Sequence, residues 1–303
     1  MKKVIILMST YNGEKYIREQ IESILTQTYK NIELFVRDDG SKDSTTKILE
    51  EYAREGKLTW FQGENLKPAR SFLELVKKAP EAEYYAFADQ DDVWDSDKIE
   101  VAVNMLSNVP NEKPALYCSA TRLVDENLNV ITPIAHCKNF KLTFGEALVQ
   151  AISPGCTFVF NRKSKEYLDM FKSEEYISMH DALLMLIATA FGNVIFDKQP
   201  HISYRQHSNN VIGTQHSLVS RYKRRLKRFL FSKDTNSRYK MACAFEQSFK
   251  DLMTEQDLAL LRVLTNYKKS LFSRMRLAFN KEIRMVDKLD NFFLFILALM
   301  GKI

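Results

Sequence analysis

The chain has 303 residues, of which 45% are hydrophobic and 27% are charged, and this balance excludes a disordered chain and a polytopic membrane protein. At about 100–200 residues per domain, the length corresponds to one large domain or two modest ones. Residues 1–200 hold 24 basic and 30 acidic side chains, whereas residues 201–303 hold 20 and 8, so the net charge of +6 does not indicate a uniformly basic nucleic-acid-binding protein.

The N-terminal part of the chain alternates short apolar segments with segments of helical period. Strands are predicted at Val4–Met8, Ile32–Val36, Lys57–Gln62 and Tyr84–Ala88, and helices at 15–27, Ser44–Arg54 and Pro68–Lys78. This alternation predicts a parallel sheet covered by helices. In such sheets, ligands bind at the carboxyl ends of the strands. Three of these ends carry polar clusters, at Ser9–Gly13, Asp38–Asp43 and Asp89–Asp92, and their convergence predicts a site at that edge.

The rest of the chain divides into an irregular middle and a helical end. Strands are predicted at Ala115–Ser119, Cys156–Asn161 and Phe196–Tyr204, a hairpin at Leu123–Ile131 and an apolar helix at Asp181–Phe191. After about residue 215 no strand pattern remains, and apolar residues recur at helical spacing. The predicted fold is therefore an α/β domain with a mostly parallel sheet at 1–215, followed by a basic, mostly helical C-terminal region at 216–303.

Cysteine spacing and apolar run lengths predict a cytoplasmic protein. The four cysteines are far apart and form no CxxC motif: Cys118, Cys137, Cys156 and Cys243. This spacing favours reduced thiols over a zinc site. Val4–Met8 is too short for the core of a signal peptide, and the longest late apolar run, Phe292–Met300, is shorter than the roughly 20 residues that span a bilayer.

Three carboxylates follow the fourth predicted strand within four residues. Asp89, Asp91 and Asp92 repel one another unless a cation or solvent relieves the repulsion, and oxygen ligands at this density suit Mg²⁺ or Mn²⁺. The competing interpretation is an exposed acidic turn that caps the helix beginning near 95–97. Asp39, at a neighbouring strand end, favours the metal site, although turn formation and helix capping also explain the polar residues of 38–43.

Three motifs together resemble those of family 2 glycosyltransferases with the GT-A fold. They are Ser9–Asn12, Asp38–Thr45 and Asp89–Asp92, and the resemblance covers roughly residues 1–215. Asp-Gln-Asp-Asp-Val-Trp, with Met179–Asp181 and Tyr204–Asn210 later in the chain, is most similar to the rhamnosyltransferase-type branch, whose members build bacterial rhamnose-containing surface polysaccharides.

The resemblance implies a role for each motif residue. The nucleotide-sugar site would be formed by Thr10, Tyr11, Asn12, Asp39, Asp89 and Arg205, with Asp39 at the base, Asp89 at the ribose and Arg205 towards the diphosphate. Asp91 would be the principal ligand of Mg²⁺ or Mn²⁺, with Asp92 beside it. His207 would be a third ligand, unless it is a loop histidine without one. A divalent cation would stabilise the charge that develops on the departing nucleoside diphosphate.

Asp181 matches the position at which the family places its catalytic base. The family usually has an acidic pair there, whereas this chain has His180 before Asp181. The competing interpretation is a capping box, because Ser178 precedes Asp181 by three residues. As a base, Asp181 would take the proton from the acceptor hydroxyl. One base and no nucleophile imply direct displacement with inversion at the anomeric carbon.

Contacts to the sugar or the acceptor are the least specific predictions. Trp94 either packs on the sugar or belongs to the core. The acceptor side is predicted to include Gly155, Cys156, Thr157 and His180, although the first three show by themselves only a turn and a strand.

Residues 221–231 hold six basic side chains, and their apolar residues lie on one helical face: Tyr222, Leu226, Phe229 and Leu230. A basic amphipathic helix predicts binding to an anionic membrane surface. An ordinary docking helix and a dimer interface are alternatives. Nucleic acid is disfavoured because no RNA-binding module is recognisable.

The predicted function is inverting, metal-dependent transfer of L-rhamnose from dTDP-β-L-rhamnose to a lipid-linked saccharide at the inner membrane face. The first alternative keeps the mechanism and uses a UDP-hexose or UDP-N-acetylhexosamine donor. A nucleotidyltransferase would need a glycine-rich phosphate loop near the N-terminus, where only Gly13 is found. A non-catalytic membrane-binding module is disfavoured by the intact carboxylates.

Overall fold

The structure is a computed structural model that describes residues 1–173, 176–207 and 237–303. Its strands are β1 (Val4–Thr10), β2 (Ile32–Asp38), β3 (Thr59–Gln62), β4 (Tyr84–Ala88), β5 (Val93–Trp94), β6 (Ala115–Val124), β7 (Val130–Ala135), β8 (Val159–Asn161) and β9 (Asn193–Arg205). Its helices are α1 (Ile17–Leu25), α2 (Thr45–Arg54), α3 (Lys67–Lys78), α4 (Lys98–Leu106), α5 (Phe144–Ala147), α6 (Arg162–Asp169), α7 (His180–Phe191), α8 (Ser237–Phe249), α9 (Glu255–Thr265), α10 (Leu271–Ala278) and α11 (Lys288–Met300).

The strands form one sheet in the order β3-β2-β1-β4-β8-β6-β9-β5, with β7 paired to β6. The first four are parallel neighbours. β8 is antiparallel to both β4 and β6, so β6 and its parallel partner β9 run in the same direction as β1. The predicted α/β fold with a mostly parallel, helix-flanked sheet and C-terminal helices is confirmed.

Apolar residues cover both faces of the sheet. Ile5 and Leu7 of β1 face one core cluster with α3 and α7, whereas Val4, Ile6 and Met8 face a second cluster with α1 and α4. Because side chains alternate across a strand and both faces are buried, the continuous apolar run at the start of the chain is explained.

One predicted strand begins later than expected. Residues 156–157 belong to a 3-10 turn at Gly155–Thr157, which is closed by hydrogen bonds from Thr157 N–H to the Pro154 carbonyl and from Phe158 N–H to the Gly155 carbonyl. β8 therefore starts only at Val159. The turn bends the chain towards the carboxyl end of β4, where the polar clusters lie.

The C-terminal helices pack on the sheet domain. Phe245 of α8 and Leu261 of α9 belong to the same apolar cluster as Phe144 and Leu183. The predicted boundary at 215/216 and the basic segment at 221–231 lie outside the described residues. In the part of the chain that the structure describes, no helix combines the length and hydropathy needed to cross a membrane.

Candidate active site

A cavity of about 790 Å³ opens where β1, β2 and β4 end. The parallel register brings these ends together, because Thr10 pairs with Asp38 and Met8 pairs with Ala88. Many residues predicted for the site line the cavity: Thr10, Tyr11, Asn12, Asp39, Asp89, Asp91, Gly155, His180, Asp181 and His207. Five others are not among its lining residues: Asp92, Trp94, Cys156, Thr157 and Arg205.

Asp39 orders the loop at one end of the cavity. Its carboxylate accepts hydrogen bonds from the backbone N–H groups of Leu66 (2.9 Å) and Lys67 (3.0 Å) and forms an ion pair with the buried Arg37. Asp38, by contrast, shapes the turn after β2, since it accepts from the N–H groups of Gly40 and Ser41. Of this acidic pair, only Asp39 lines the cavity.

Gln90 joins the first and third polar clusters, a role that the sequence did not indicate. Its side-chain oxygen accepts from Tyr11 N–H at 2.8 Å, and its amide donates to the Tyr11 carbonyl at 3.1 Å. Gly13 permits this close approach, because a Cβ there would lie 2.3 Å from the Gln90 oxygen. The turn after β1 is thereby fixed against the carboxylate cluster.

Asp91 and His207 meet although 116 residues separate them in the chain. The Nε2 atom of His207 lies 2.7 Å from Oδ2 of Asp91, and its ring lies against the ring of Tyr16, with 5.0 Å between centroids. Asp89 shares this end of the cavity. Burial, together with the charges of Asp91 and Asp181, raises the pKa of Asp89 to about 7.

The donor atoms in this region fit a divalent metal ion. Ligand atoms of Asp89, Asp92 and Cys156 lie within 4.8 Å of one another. The Oδ2 atom of Asp92 is buried without a hydrogen-bond partner, and burial and the neighbouring carboxylates raise the pKa of Asp92 well above its usual value. A cation relieves this repulsion. Asp89 and Asp91 reach the cavity, so they are better placed than Asp92 to share a metal with a bound diphosphate.

Arg205 lies beneath the site and does not face the cavity. Its backbone N–H donates to Asp92 (3.0 Å), its Nε donates to the Asp91 carbonyl (2.8 Å), and its guanidinium pairs with Glu19. Since these contacts hold the acidic turn, the geometry favours a supporting position for Arg205 over the expected contact with the diphosphate.

Trp94 and Thr157 also lie behind the cavity wall. Trp94 is buried in the second core cluster, with the Lys98 ammonium 3.3 Å from the centroid of its ring. Thr157 donates its hydroxyl to the Pro154 carbonyl at 2.8 Å. Of the two interpretations of Trp94, the structure therefore favours the core, whereas Gly155 is the residue of its turn that lines the cavity.

Asp181 lines the same cavity from the start of α7, and its charge helps to raise the pKa of Asp89. Its Oδ2 accepts from Gly155 N–H at 3.2 Å, and its Oδ1 accepts from Ala182 N–H at 2.6 Å. The capping box is not formed, because the N-cap position is Met179 and the Ser178 hydroxyl contacts the Met241 sulfur. Burial raises the pKa of the Asp181 carboxyl to about 6, against the opposing effects of these backbone N–H groups and of the Arg238 charge.

We expect the transfer rate to fall below about pH 6. The Asp181 carboxyl, with a pKa of about 6, must be ionised to accept a proton. Below this pKa, each unit of acidification should lower kcat, measured with saturating donor and metal ion, roughly tenfold. The charges that bear on Asp181 are those of Arg238 and Asp89. A pH–rate profile checks the prediction, with nucleotide-sugar binding at pH 5 as the control. A flat profile down to pH 4.5 would contradict it.

His180 is enclosed by aromatic rings beside Asp181. Its imidazole stacks on Phe72, with 3.9 Å between centroids, and meets the edge of Phe87 at 4.7 Å. Neither ring nitrogen has a hydrogen-bond partner within the protein, and burial lowers the pKa of His180 to about 3. A helix was predicted over Pro68–Lys78, but the place of Phe72 against His180 required the structure.

Lys15, Tyr16 and Glu126 form a rim of the cavity that the sequence did not indicate. Lys15 pairs with Glu126 at 2.5 Å, and the Tyr16 hydroxyl donates to the same carboxylate at 3.2 Å. The hairpin turn between β6 and β7 supplies Glu126, and the segment before α1 supplies the other two. No sequence motif connects these segments, so only the fold could identify the rim.

Comparison with known proteins identifies the family. The profile of "Glycosyl transferase family 2" matches residues 5–168. The "dTDP-rhamnosyl transferase RfbG" of Shigella flexneri is 30% identical over 237 residues, which cover 72% of this chain and 77% of that protein. The "UDP-Glc:alpha-D-GlcNAc-diphosphoundecaprenol beta-1,3-glucosyltransferase WfgD" of Escherichia coli is 36% identical over 104 residues, which cover 34% of this chain and 40% of that protein.

Solved structures share the fold at low sequence identity. S. aureus TarS in complex with UDP-GlcNAc has a TM-score of 0.58 at 15% identity, covering 99% of this chain and 91% of that one. The mannosyltransferase PcManGT of Pyrobaculum calidifontis, in complex with GDP-Man and Mn²⁺, has a TM-score of 0.51 at 17% identity, covering 99% and 85%. With the profile match and the likeness to RfbG, these findings show that the chain belongs to glycosyl transferase family 2 and is a glycosyltransferase with the GT-A fold.

Proposed function

We propose that the protein transfers L-rhamnose from dTDP-β-L-rhamnose to a saccharide acceptor, with inversion and with the help of Mg²⁺ or Mn²⁺. The observation that carries this proposal is the presence in one cavity of Asp89, Asp91 and His207 together with Asp181, a carboxylate from another element whose pKa is raised to about 6. The rhamnosyl donor is supported by the likeness to RfbG and by the rhamnosyltransferase-type motifs.

The chain's own residues account for donor binding and proton transfer. Thr10, Tyr11, Asn12 and Asp39 would surround the nucleoside at the ends of β1 and β2. Asp89, Asp91 and His207 would hold the divalent cation, which supplies positive charge to the diphosphate when bound. Their fixed positions, with Asp91 and His207 2.7 Å apart, mean that little rearrangement is needed on binding.

Displacement at the anomeric carbon then needs one base. The acceptor hydroxyl oxygen attacks this carbon, the bond to the diphosphate oxygen breaks, and the nucleoside diphosphate leaves with the electron pair. Asp181 accepts the hydroxyl proton. Because attack occurs opposite the leaving group, a β-linked donor sugar gives an α-linked product. Gly155 N–H holds Oδ2 of Asp181 at 3.2 Å and thereby orients the base.

The acceptor is proposed to be a lipid-linked saccharide at the cytoplasmic face of a membrane. The support is the name of WfgD, which acts on a diphosphoundecaprenol-linked sugar. For access to this acceptor, the protein is proposed to associate peripherally with the membrane, either as a monomer or as a homo-oligomer.

A second donor class keeps the mechanism and changes the sugar. The likeness to TarS, seen with UDP-GlcNAc, and to WfgD, named for UDP-Glc, supports a UDP-hexose or UDP-N-acetylhexosamine. Product analysis with purified protein, a synthetic lipid-linked acceptor and a panel of nucleotide sugars separates the two. Rhamnose incorporation from dTDP-rhamnose alone supports the first proposal, and incorporation only from a UDP-sugar overturns it.

We expect the variant His180→Phe to fold normally and to lose acceptor affinity. The buried, neutral imidazole has no protein partner for either nitrogen, and a sugar hydroxyl that both donates and accepts would satisfy it. Its Nε2 and the Oδ2 of Asp181 both lie within 3.4 Å of the point where a Gly155 Cβ would stand. The two atoms are therefore close neighbours beside Gly155, which lines the cavity. The KM for the acceptor should rise about 10- to 100-fold.

Thermal unfolding of the His180→Phe variant distinguishes a loss of acceptor binding from a loss of core packing. Phenylalanine keeps the contact with Phe72 and removes two unsatisfied nitrogens, so thermal unfolding should be unchanged or occur at higher temperature. His180→Gln, which keeps a donor and an acceptor, should recover part of the affinity. An unchanged KM in His180→Phe would remove His180 from acceptor binding.

A further inference from the structure

The helix α10 exposes apolar side chains on the face that is turned away from the protein. Leu271, Phe272, Met275 and Phe279 are exposed, with 78% of Phe272 and 62% of Phe279 accessible to solvent. These positions lie on one side of the helix at i, i+1, i+4 and i+8. Leu277, on the opposite side, and Ala278 are buried in the core. A surface helix ordinarily has a polar outer face, so α10 is apolar on both sides.

The helix α11 repeats this arrangement. Its buried side carries Leu294 and Ala298, and its outer side exposes Leu289, Phe292 and Met300, with 56% of Phe292 accessible. The two helices adjoin, because the Phe279 ring meets the edge of the Phe295 ring with 5.3 Å between centroids. Their exposed apolar residues together are called the outer face here: Leu271, Phe272, Met275, Phe279, Leu289, Phe292 and Met300.

The segment that carries the outer face is mainly basic. Residues 266–303 contain eight basic and three acidic side chains, and one of the acidic ones, Asp287, is paired with Lys138. Arg276 is exposed on α10 among the apolar side chains. Large apolar side chains interspersed with basic ones complement a bilayer surface that contains anionic lipid. A symmetric contact between two copies would instead bring like charges together.

The lengths of the helices favour a position in the plane of the bilayer surface. The 13 residues of α11 extend about 20 Å at 1.5 Å per residue, whereas the hydrocarbon core is about 30 Å thick. The helix therefore cannot cross the bilayer. An apolar outer face on short helices of this kind enters the boundary between headgroups and acyl chains.

The segment between these two helices connects the outer face to the cavity. A Cβ at Gly145 would lie 2.6 Å from the Glu282 carbonyl oxygen, and Val286 N–H donates to the side-chain oxygen of Gln150 at 3.1 Å. Residues 145–150 directly precede 151–155, which line the acceptor side of the cavity. Residues 145–155 thus connect the outer face, where a membrane would bind, to the part of the cavity where an acceptor would enter.

We propose that the outer face of α10 and α11 is the membrane-binding surface, which inserts into the headgroup region of an anionic bilayer and brings the cavity to a lipid-linked acceptor. The role given to membrane binding rests on the lipid-linked acceptor proposed above. Binding to vesicles can be measured without any catalysis, so it is tested independently of that acceptor.

The test compares the full-length protein with the double variant Phe272→Glu/Phe292→Glu. Co-sedimentation with vesicles of phosphatidylglycerol and phosphatidylethanolamine is measured at about 0.5 M salt, where the attraction between exposed charges is largely screened. The variant should bind at least about tenfold more weakly, since it removes two large apolar contacts and adds two negative charges. The control is Val130→Glu/Ile134→Glu, which makes the same charge change at exposed apolar positions of β7 and should bind like the unaltered protein.

Two further measurements, sugar transfer to a soluble acceptor and light scattering, distinguish the possible outcomes. All three proteins should transfer sugar equally to a water-soluble, short-chain acceptor. This assay tests the proposed transferase activity independently of membrane binding. Unchanged vesicle binding by the Phe272→Glu/Phe292→Glu variant would overturn the membrane surface even if transfer is intact. A dimer in light scattering that the same variant abolishes, without any vesicle binding by the unaltered protein, would assign the outer face to a second copy of the chain and also overturn the proposal.

Discussion

Replacing Asp181 by Asn is expected to lower the rate of sugar transfer by about 10³-fold, within the range that a positioned general base contributes. The amide has nearly the same shape, and its oxygen can still accept the hydrogen bond from Gly155 N–H, which now reaches Oδ2 at 3.2 Å. It cannot take up a proton. The loss should therefore appear in kcat with a saturating donor, and it should remain at every pH.

Donor binding provides the control for this variant. Asp181 is not among the residues proposed to hold the nucleotide or the metal ion, so the affinity for the nucleotide sugar, measured by calorimetry, should change less than about threefold. The change Asp169→Asn, at an exposed position of α6, should leave both quantities as they are. Transfer by Asp181→Asn at the unaltered rate would show that another group accepts the proton.

Replacing Asp91 by Asn is expected to lower transfer at least about 100-fold and to weaken donor binding as well. A cation at the diphosphate is worth several kcal/mol of stabilisation, and Asp91 is the carboxylate that both lines the cavity and contacts His207. EDTA should have a similar effect on the unaltered protein, and Mn²⁺ should restore it. The variant should recover much less at the same Mn²⁺ concentration because it lacks one charged ligand.

Two measurements keep the metal prediction separate from a folding defect. Mn²⁺ binding, followed by electron paramagnetic resonance in the presence of the nucleoside diphosphate, should weaken in Asp91→Asn and not in Asp251→Asn, whose aspartate is exposed and lies outside the cavity. Thermal unfolding of the metal-free variant should occur at an unchanged or higher temperature, because one of several mutually repelling carboxylates has been removed. Full activity in metal-free buffer would contradict the proposal that a divalent cation assists sugar transfer.

The first four strands were predictable because their signal is local. β1 and β4 are short, largely apolar and followed at once by polar turns, as buried parallel strands are. The same logic placed Asp39, Asp89 and Asp91 at one edge, since the ends of parallel strands meet there. The sequence separation of these residues does not matter, because a parallel sheet brings the residues that follow its strands to the same edge.

The acidic run at the end of β4 shows where local patterns stop being informative. Asp89, Asp91 and Asp92 read alike in the sequence, yet Asp92 turns inward to accept the Arg205 N–H at 3.0 Å. A turn cannot direct all of its side chains to one side. Which carboxylate reaches the cavity is decided by the backbone of the turn and by Arg205, which is 113 residues away.

Sequence by itself determined the chemistry available to this protein: carboxylates at strand ends, a candidate base at residue 181, and apolar segments near the C-terminus. Only the tertiary structure decided which of these groups meet. It joined Gln90 to Tyr11, stacked Phe72 under His180, and turned two apolar helix faces outward in α10 and α11. The physical reason is that hydrophobic periodicity reports that a side chain prefers to leave water, whereas its partner is set by the packing of elements from distant parts of the chain.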